Sequence, residues 1–350
     1  MRTITATALY WLLLALGALV AAVTGTELAI GDHHPVPEHA LAGLLPRSAL
    51  LVVGAVLALV VTVTTAAMTT GERATARRVA AVPATLLAGG VAAAVLVVLT
   101  LSAELLALVG YLPFALTMAV FDEDWRENLL GALNSSVLIQ LLVVVGVFLW
   151  AVAARQYLRR WPRDLPSWAR PEAAARWGRT ATVVAVVPPL VYAASRFAWI
   201  VYPLGFDRAE WEVARAAGHL WSGVWLGAFA VLGAALTLGL VQRWGEVFPR
   251  WVPGLSGRRV PVALAVVPAS LVALAIVPAG ISMVRQVLSG AAEIDFISDW
   301  AAFGPPFLWP LWGVALGVAT LGYALRRRGE RRAPAGPGLV ADAPANRASR

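Results

Sequence analysis

The chain contains no cysteine and no lysine. The first absence excludes disulfides, thiolate metal sites, iron–sulfur clusters and thiol nucleophiles. The second excludes a P-loop lysine, a Schiff-base lysine and a Ser–Lys dyad. Charge is scarce too, at 14% of 350 residues against 59% hydrophobic, with a mean hydropathy of +0.74. A soluble globular chain is roughly a quarter charged. All 28 basic residues are arginine, which with abundant Ala, Val and Gly indicates a high-GC genome. No Ser stands in a nucleophile elbow and no carboxylate pair falls inside an apolar run. No catalytic constellation and no cofactor site is therefore expected.

What the chain has in quantity is long apolar runs. Hydropathy predicts eight spans, at 6–24, 48–67, 81–103, 135–154, 180–203, 218–241, 260–283 and 305–325. Each holds close to the ~20 apolar residues that cross a ~30 Å hydrocarbon core. With both termini inside, the cytoplasmic segments carry 22 of the 28 arginines but only 6 of the 20 acidic residues. Positive residues in short loops orient membrane proteins, and every loop here agrees. The expected fold is all-α: a polytopic transmembrane helix bundle of the plasma membrane, multi-pass, with both termini cytoplasmic. A pI near 10.8 then points to anionic lipid at the cytoplasmic face rather than to nucleic acid, because the arginines sit at span ends.

Three segments need separate treatment. Met1–Ala21 begins like a signal peptide, but Thr24–Glu27 offers no small-x-small cleavage context, so an uncleaved first span is expected. Residues 104–120 are apolar and contain Gly110 and Pro113. A full extra span there would invert the charge bias downstream, so a re-entrant or interfacial segment is expected. The bundle should occupy 1–325. Residues 326–350, basic and then Pro/Ala-rich, should form a disordered cytoplasmic tail.

Internal repetition runs through the second half. Arg160-Trp161-Pro-Arg-Asp-Leu165-Pro166-Ser-Trp168 aligns without gaps to Arg243-Trp244-Gly-Glu-Val-Phe248-Pro249-Arg-Trp251. The following spans share a start, Ala185-Val-Val-Pro188 and Ala265-Val-Val-Pro268, with a weaker copy at Ala80-Ala-Val-Pro83. The implied unit is a two-span hairpin of ~80 residues. Such a repeat keeps one orientation, unlike the inverted repeats of many secondary transporters. Gly223-Val-Trp-Leu-Gly227 and Gly313-Val-Ala-Leu-Gly317 are steps at which helices can approach closely.

This pattern of Arg/Trp/Pro loops, most of all Gln242-Arg-Trp-Gly-Glu-Val-Phe-Pro-Arg-Trp251 running to Gly257-Arg-Arg-Val-Pro261, resembles that of multi-span membrane proteins of high-GC actinobacteria. The resemblance covers mainly 180–285. It implies a membrane bundle and brings no activity with it. Glu172-Ala-Ala-Ala-Arg-Trp-Gly178 also matches the EAA-x-x-x-G core of ABC importer permeases. The I-x-L-P continuation is absent, and Pro188-Pro189-Leu190 stands in that stretch, so the match is assigned to alanine-rich composition.

The candidate functional interior is the fifth span. Tyr192, Arg196, Trp199 and Tyr202 recur at spacings of three and four, on one helical face. A charge inside a span costs several kcal/mol unless paired or hydrated. Glu104 is the expected partner of Arg196, with Glu27 and Asp207 as alternatives. Together these residues would either bind a substrate's anionic group or form a structural ion pair with interfacial aromatics. On the outer side, His33, His34, Glu38 and His39 combine ligands suited to zinc or copper, or form a polar loop. His219 heads the sixth span. Asp122-Glu123-Asp124 and Glu127 are expected in a solvated loop. The tryptophans of the cytoplasmic loops suit either an interfacial belt or a docking surface for a cytoplasmic protein partner.

The leading expectation is a non-enzymatic, transporter-like or transport-accessory bundle for a small solute or lipid. The alternatives are an outer-face metal-dependent enzyme or metal/pH sensor, and a docking platform. A functional histidine loop requires stoichiometric zinc or copper to survive detergent purification, which elemental analysis measures; metal-free protein would eliminate it.

Overall fold

In hydrocarbon an unpartnered backbone N–H or C=O costs several kcal/mol, so a chain this apolar must satisfy its backbone internally. A computed structural model describes residues 2–25, 46–69, 76–121, 123–132, 134–159, 167–289 and 297–332. Within them the fold is helical: α1 (Arg2–Thr24), α2 (Arg47–Ala67), α3 (Ala76–Thr100), α4 (Ala103–Met118), α5 (Glu123–Gly131) and α6 (Ser135–Arg159). The second half contains α7 (Pro171–Ala198), α8 (Arg208–Ala216), α9 (Leu220–Leu238), α10 (Val262–Ser289), α11 (Trp300–Phe303) and α12 (Trp309–Arg332). An isolated antiparallel bridge joins Val247 to Arg259. Seven helices (α1, α2, α6, α7, α9, α10 and α12) are long and apolar enough to cross a membrane. The chain is a helical membrane protein.

Among the described residues, two of the five buried clusters hold most of the core. One joins Trp11 and Ala15 of α1, Ala58 and Val61 of α2, Leu96 and Val97 of α3 and Val143 of α6. The other joins Ala185 of α7, Ala273 of α10 and Ala315, Ala319 and Tyr323 of α12. α4 packs against α9 and α10 and also touches α6, so it lies where the two groups of helices meet. Small residues set the closest approaches, as expected where lipid tails are as apolar as the side chains. A Cβ placed on Gly322 would stand 2.8 Å from the Gly178 Cα, and one on Gly146 2.7 Å from the Trp11 ring. Ala174 and Gly178, within the permease-like core, are thus explained by the crossing of α7 with α12.

Several boundaries depart from expectation. α7 begins at Pro171 rather than 180. Proline lacks the N–H that a first turn cannot use, and Glu172 faces the positive end of the helix dipole. Pro188 therefore lies in mid-helix, whereas Pro268 sits in the second turn of α10. The stretch expected to be re-entrant or interfacial, 104–120, is helical as far as Met118 in α4, whose 16 residues are short for a crossing and compatible with that expectation. Ser102 caps α4 by accepting from the Glu104 N–H at 3.2 Å. Glu123, Asp124 and Glu127, expected in a loop, lie in α5, and Glu123 pairs with Arg126 at 3.9 Å on the surface; Asp122 lies outside the described residues. α12 continues to Arg332, past the predicted start of the tail, and Arg326 within it pairs with Glu246. Residues 333–350 and 160–166, the latter including the first tryptophan-loop copy up to Pro166, lie outside the described residues.

The joint between α3 and α4 is a helix break lined by buried polar groups. The Ser102 N–H donates to Gln140 Oε1 at 3.0 Å. Gln140 Nε2 in turn donates to Ser102 Oγ at 3.1 Å and Ser136 Oγ at 3.2 Å.

Overpacking the α7–α12 crossing should cost about 1–3 kcal/mol. Gly322→Leu is expected to lower the thermal unfolding temperature in detergent, whereas Gly17→Leu, with open space around its Cα, should not.

Candidate functional site: a half-buried arginine between aromatic rings

Arg196 occupies the last turn of α7, where the carbonyl ends of the helix favour a cation. Helical spacing brings Tyr192 and Trp199 beside it. The guanidinium carbon lies 4.5 Å from the Tyr192 ring centroid and 4.0 Å from that of Trp199. Nη2 donates to the Ala302 carbonyl at 3.4 Å. The aliphatic stem runs along the glycine step of α9: a Cβ on Gly227 would stand 3.2 Å from Arg196 Cβ, and one on Gly223 3.6 Å from Cδ. Any larger residue at Gly227 would push the stem away. Tyr111 of α4 lies within electrostatic reach of Arg196 and Tyr192, and Ser222 donates its hydroxyl to the His219 carbonyl at 2.7 Å. Tyr192 also packs on Trp309 of α12, with ring centroids 6.2 Å apart.

A compact cap closes this end of the bundle. Trp199 stacks on Phe206 at 4.7 Å and donates its indole N–H to the Leu204 carbonyl at 2.9 Å. The Trp211 indole donates to the Trp199 carbonyl at 2.8 Å. Asp299 Oδ1 accepts from the Asp207 N–H at 2.8 Å, and the Ala301 N–H donates to the Gly205 carbonyl at 2.9 Å. Gly205 takes a φ of +54° beneath the Trp300 ring, a position that a side chain could not share. The segment carrying the Ala302 carbonyl is thereby fixed over Arg196.

The balance of charge is the informative quantity. Among the described residues Arg196 forms no ion pair, and its Nη1 is buried without an acceptor. An arginine at the centre of a membrane helix costs about 2.5–3.5 kcal/mol on insertion scales, which is an upper bound for one in the last turn. Each desolvated cation–π contact returns up to about 2 kcal/mol. Two rings thus offset the burial of the charge without neutralising it. The chain matches no family model, no curated protein and no solved structure. Function must be read from the side chains.

The remaining expected site residues are dispersed. Tyr202 is exposed, because α7 ends at Ala198 and the turns that follow abandon the helical face. Glu104 takes the Asn134 side-chain N–H instead of Arg196, while its Oε2 is buried without a partner. Asp207 caps α8 by accepting from the Ala209 and Glu210 N–H groups. His219 is exposed at the head of α9. Glu27, His33, His34, Glu38 and His39 lie outside the described residues, and the described ones contain no cluster of metal-ligand type. Tyr111, Trp309 and the Ala302 carbonyl were not anticipated, since nothing in local periodicity links α4, α11 and α12 to the fifth span.

Arg196→Met keeps the stem and removes the charge. Thermal unfolding in detergent should show its stability unchanged or raised, whereas Trp199→Ala should lose about 3–5 kcal/mol. Equal losses would make the guanidinium a structural element.

Proposed function

We propose that the chain is an eight-span plasma-membrane bundle, both termini cytoplasmic, that binds a small anionic solute at Arg196 and transports it or serves a transporter as an accessory subunit. The observation carrying this reading is the guanidinium held between Tyr192 and Trp199 with one buried nitrogen unsatisfied and no carboxylate among the described residues to pair with it. A guanidinium presents a planar donor fork that suits carboxylate or phosphate oxygens. Tyr111 adds a hydroxyl within electrostatic reach of it, and the aromatic walls supply an apolar surround typical of ligand sites.

The topology rests on α3 as the eighth crossing and on the arginine distribution. α3 is 25 residues long and apolar through Ala84–Thr100. α4, at 16 residues, is short for a crossing. Clustering supports the same arrangement. Ile4 meets Met68 and Tyr157 at one end of their helices, and Leu325 meets Ala169 and Ala174 at the end from which α7 departs. The loops after α6 and α9, each followed by a proline-bearing helix, are then the cytoplasmic turns of a repeated hairpin.

Two experiments follow. Since the chain has no native cysteine, single substitutions report topology directly. Glu123→Cys and Ala209→Cys should react with a membrane-impermeant maleimide on intact cells, and Ser256→Cys only after lysis; opposite labelling of Glu123→Cys and Ala209→Cys would mean that the span count is wrong. For the site, inorganic phosphate or acetate should raise the unfolding temperature of purified protein, as ligand binding to the folded state requires. Arg196→Gln should abolish the increment, and Arg208→Gln, at an exposed arginine paired with Glu212, should keep it. Neither anion stabilising the wild type would count against a small-anion site.

A further inference from the structure

The second tryptophan loop builds something that the Arg196 site does not use. At the far end of α9, an apolar cavity of about 830 Å³ lies between α9, α10 and α12. That volume falls within the ~300–1,000 Å³ range of ligand pockets. Leu236, Leu264, Val272 and Leu316 line its walls, and Trp244 and Trp251 line the part formed by the loop. The one hydroxyl in the lining, Thr237, is committed to the Gly233 carbonyl at 2.8 Å. The interior therefore asks for hydrocarbon.

The loop is held in place rather than draped. Phe248 N–H donates to the Arg258 carbonyl at 2.9 Å, and Val260 N–H to the Glu246 carbonyl at 2.8 Å. α12 fastens this hairpin from outside: Tyr323 donates to the Gly245 carbonyl at 2.7 Å, Arg326 pairs with Glu246, and Arg327 donates to the Val260 carbonyl at 3.0 Å. Trp244 packs on Gly239, where a Cβ would come within 2.6 Å of the ring. The cavity wall formed by the loop is thus preformed.

Charge identifies the occupant. Arg243, Arg250, Arg258 and Arg259 are exposed, each adjacent in sequence to a lining residue or to one further arginine from it. Among the described residues none of the four forms an ion pair, and the loop's single carboxylate, Glu246, is taken by Arg326. A hydrocarbon cavity beside four unneutralised guanidinium groups, on a loop bearing interface-seeking tryptophans, complements one common amphiphile class. We infer that this cavity is a specific site for an anionic phospholipid of the adjacent leaflet, an acyl chain filling the space between α9, α10 and α12 while the loop arginines hold the phosphate.

Bromine on an acyl chain quenches tryptophan on contact, and Trp244, Trp251 and Trp312 all line the cavity. The test uses the full chain in phosphatidylcholine nanodiscs containing a minor, equal fraction of brominated phosphatidylglycerol or brominated phosphatidylcholine. The phosphatidylglycerol discs should show the greater quenching. That excess should vanish in Ala269→Phe, which fills the cavity, and separately in the double variant Arg258→Gln with Arg259→Gln. Equal quenching by both lipids in the wild type would overturn the proposal by showing no headgroup preference. Excess retained in Ala269→Phe would place the lipid on the outer surface of the bundle, and excess retained in the arginine variant would remove the phosphate contact; either result overturns it too.

Discussion

Large rings seated on glycines hold this bundle together. In lipid there is little hydrophobic gain in bringing helices together, so association depends on close van der Waals fit. Here that fit recurs in one form: Trp11 on Gly146, Trp150 on Gly89 and Gly90, Trp244 on Gly239, Trp300 on Gly205 and Phe197 on Gly227. Each ring needs the missing Cβ beneath it. The arrangement positions the chemistry as well, since the glycine step that receives Phe197 also receives the stem of Arg196. The notch at Gly239 likewise seats the tryptophan that walls the apolar cavity.

Arginine in this chain performs two physically distinct tasks, although the sequence offers a single residue type. Arg326 and Arg327 are consumed by the fold, clasping a carboxylate and two carbonyls of the neighbouring loop. Those at 243, 250, 258 and 259 stay exposed and form no ion pair among the described residues. Arg196 belongs to neither group. It has a nitrogen buried without an acceptor, and among the described residues it forms no ion pair.

Spans were legible because hydropathy and helix length answer to the same bilayer thickness. α1, α2, α6, α9 and α10 start within a few residues of where composition puts them. The start of α7 was not, since Arg170 and Glu172 mask a helix that begins in polar sequence, and proline at its first position reads locally as a breaker. Tyr192, Arg196 and Trp199 were legible from helical spacing, which fails at Tyr202 once the helix has ended. Tyr111 and the Ala302 carbonyl could not be found that way, because contacts between segments so far apart in sequence leave no periodic trace. Glu104 is instructive: a carboxylate near a span end invites pairing with the nearest buried arginine, but an asparagine in the loop before α6 reaches it instead. The tryptophan loop was read as an interfacial belt or a docking surface and not as the wall of a cavity, since its shape depends on α12 fastening it from outside.

The side chain of Gln140 has a mechanical meaning beyond its hydrogen bonds. It fills the gap between α3 and α4 with an amide whose three contacts all lie in buried surroundings. Sliding α4 along α6 by one helical turn would strand several polar groups in hydrocarbon, each at a cost of several kcal/mol. Gln140 therefore acts as a depth stop. It locks the vertical position of α4 against the first group of helices, and through the Phe114–Trp225 contact it sets the height at which the second group must dock.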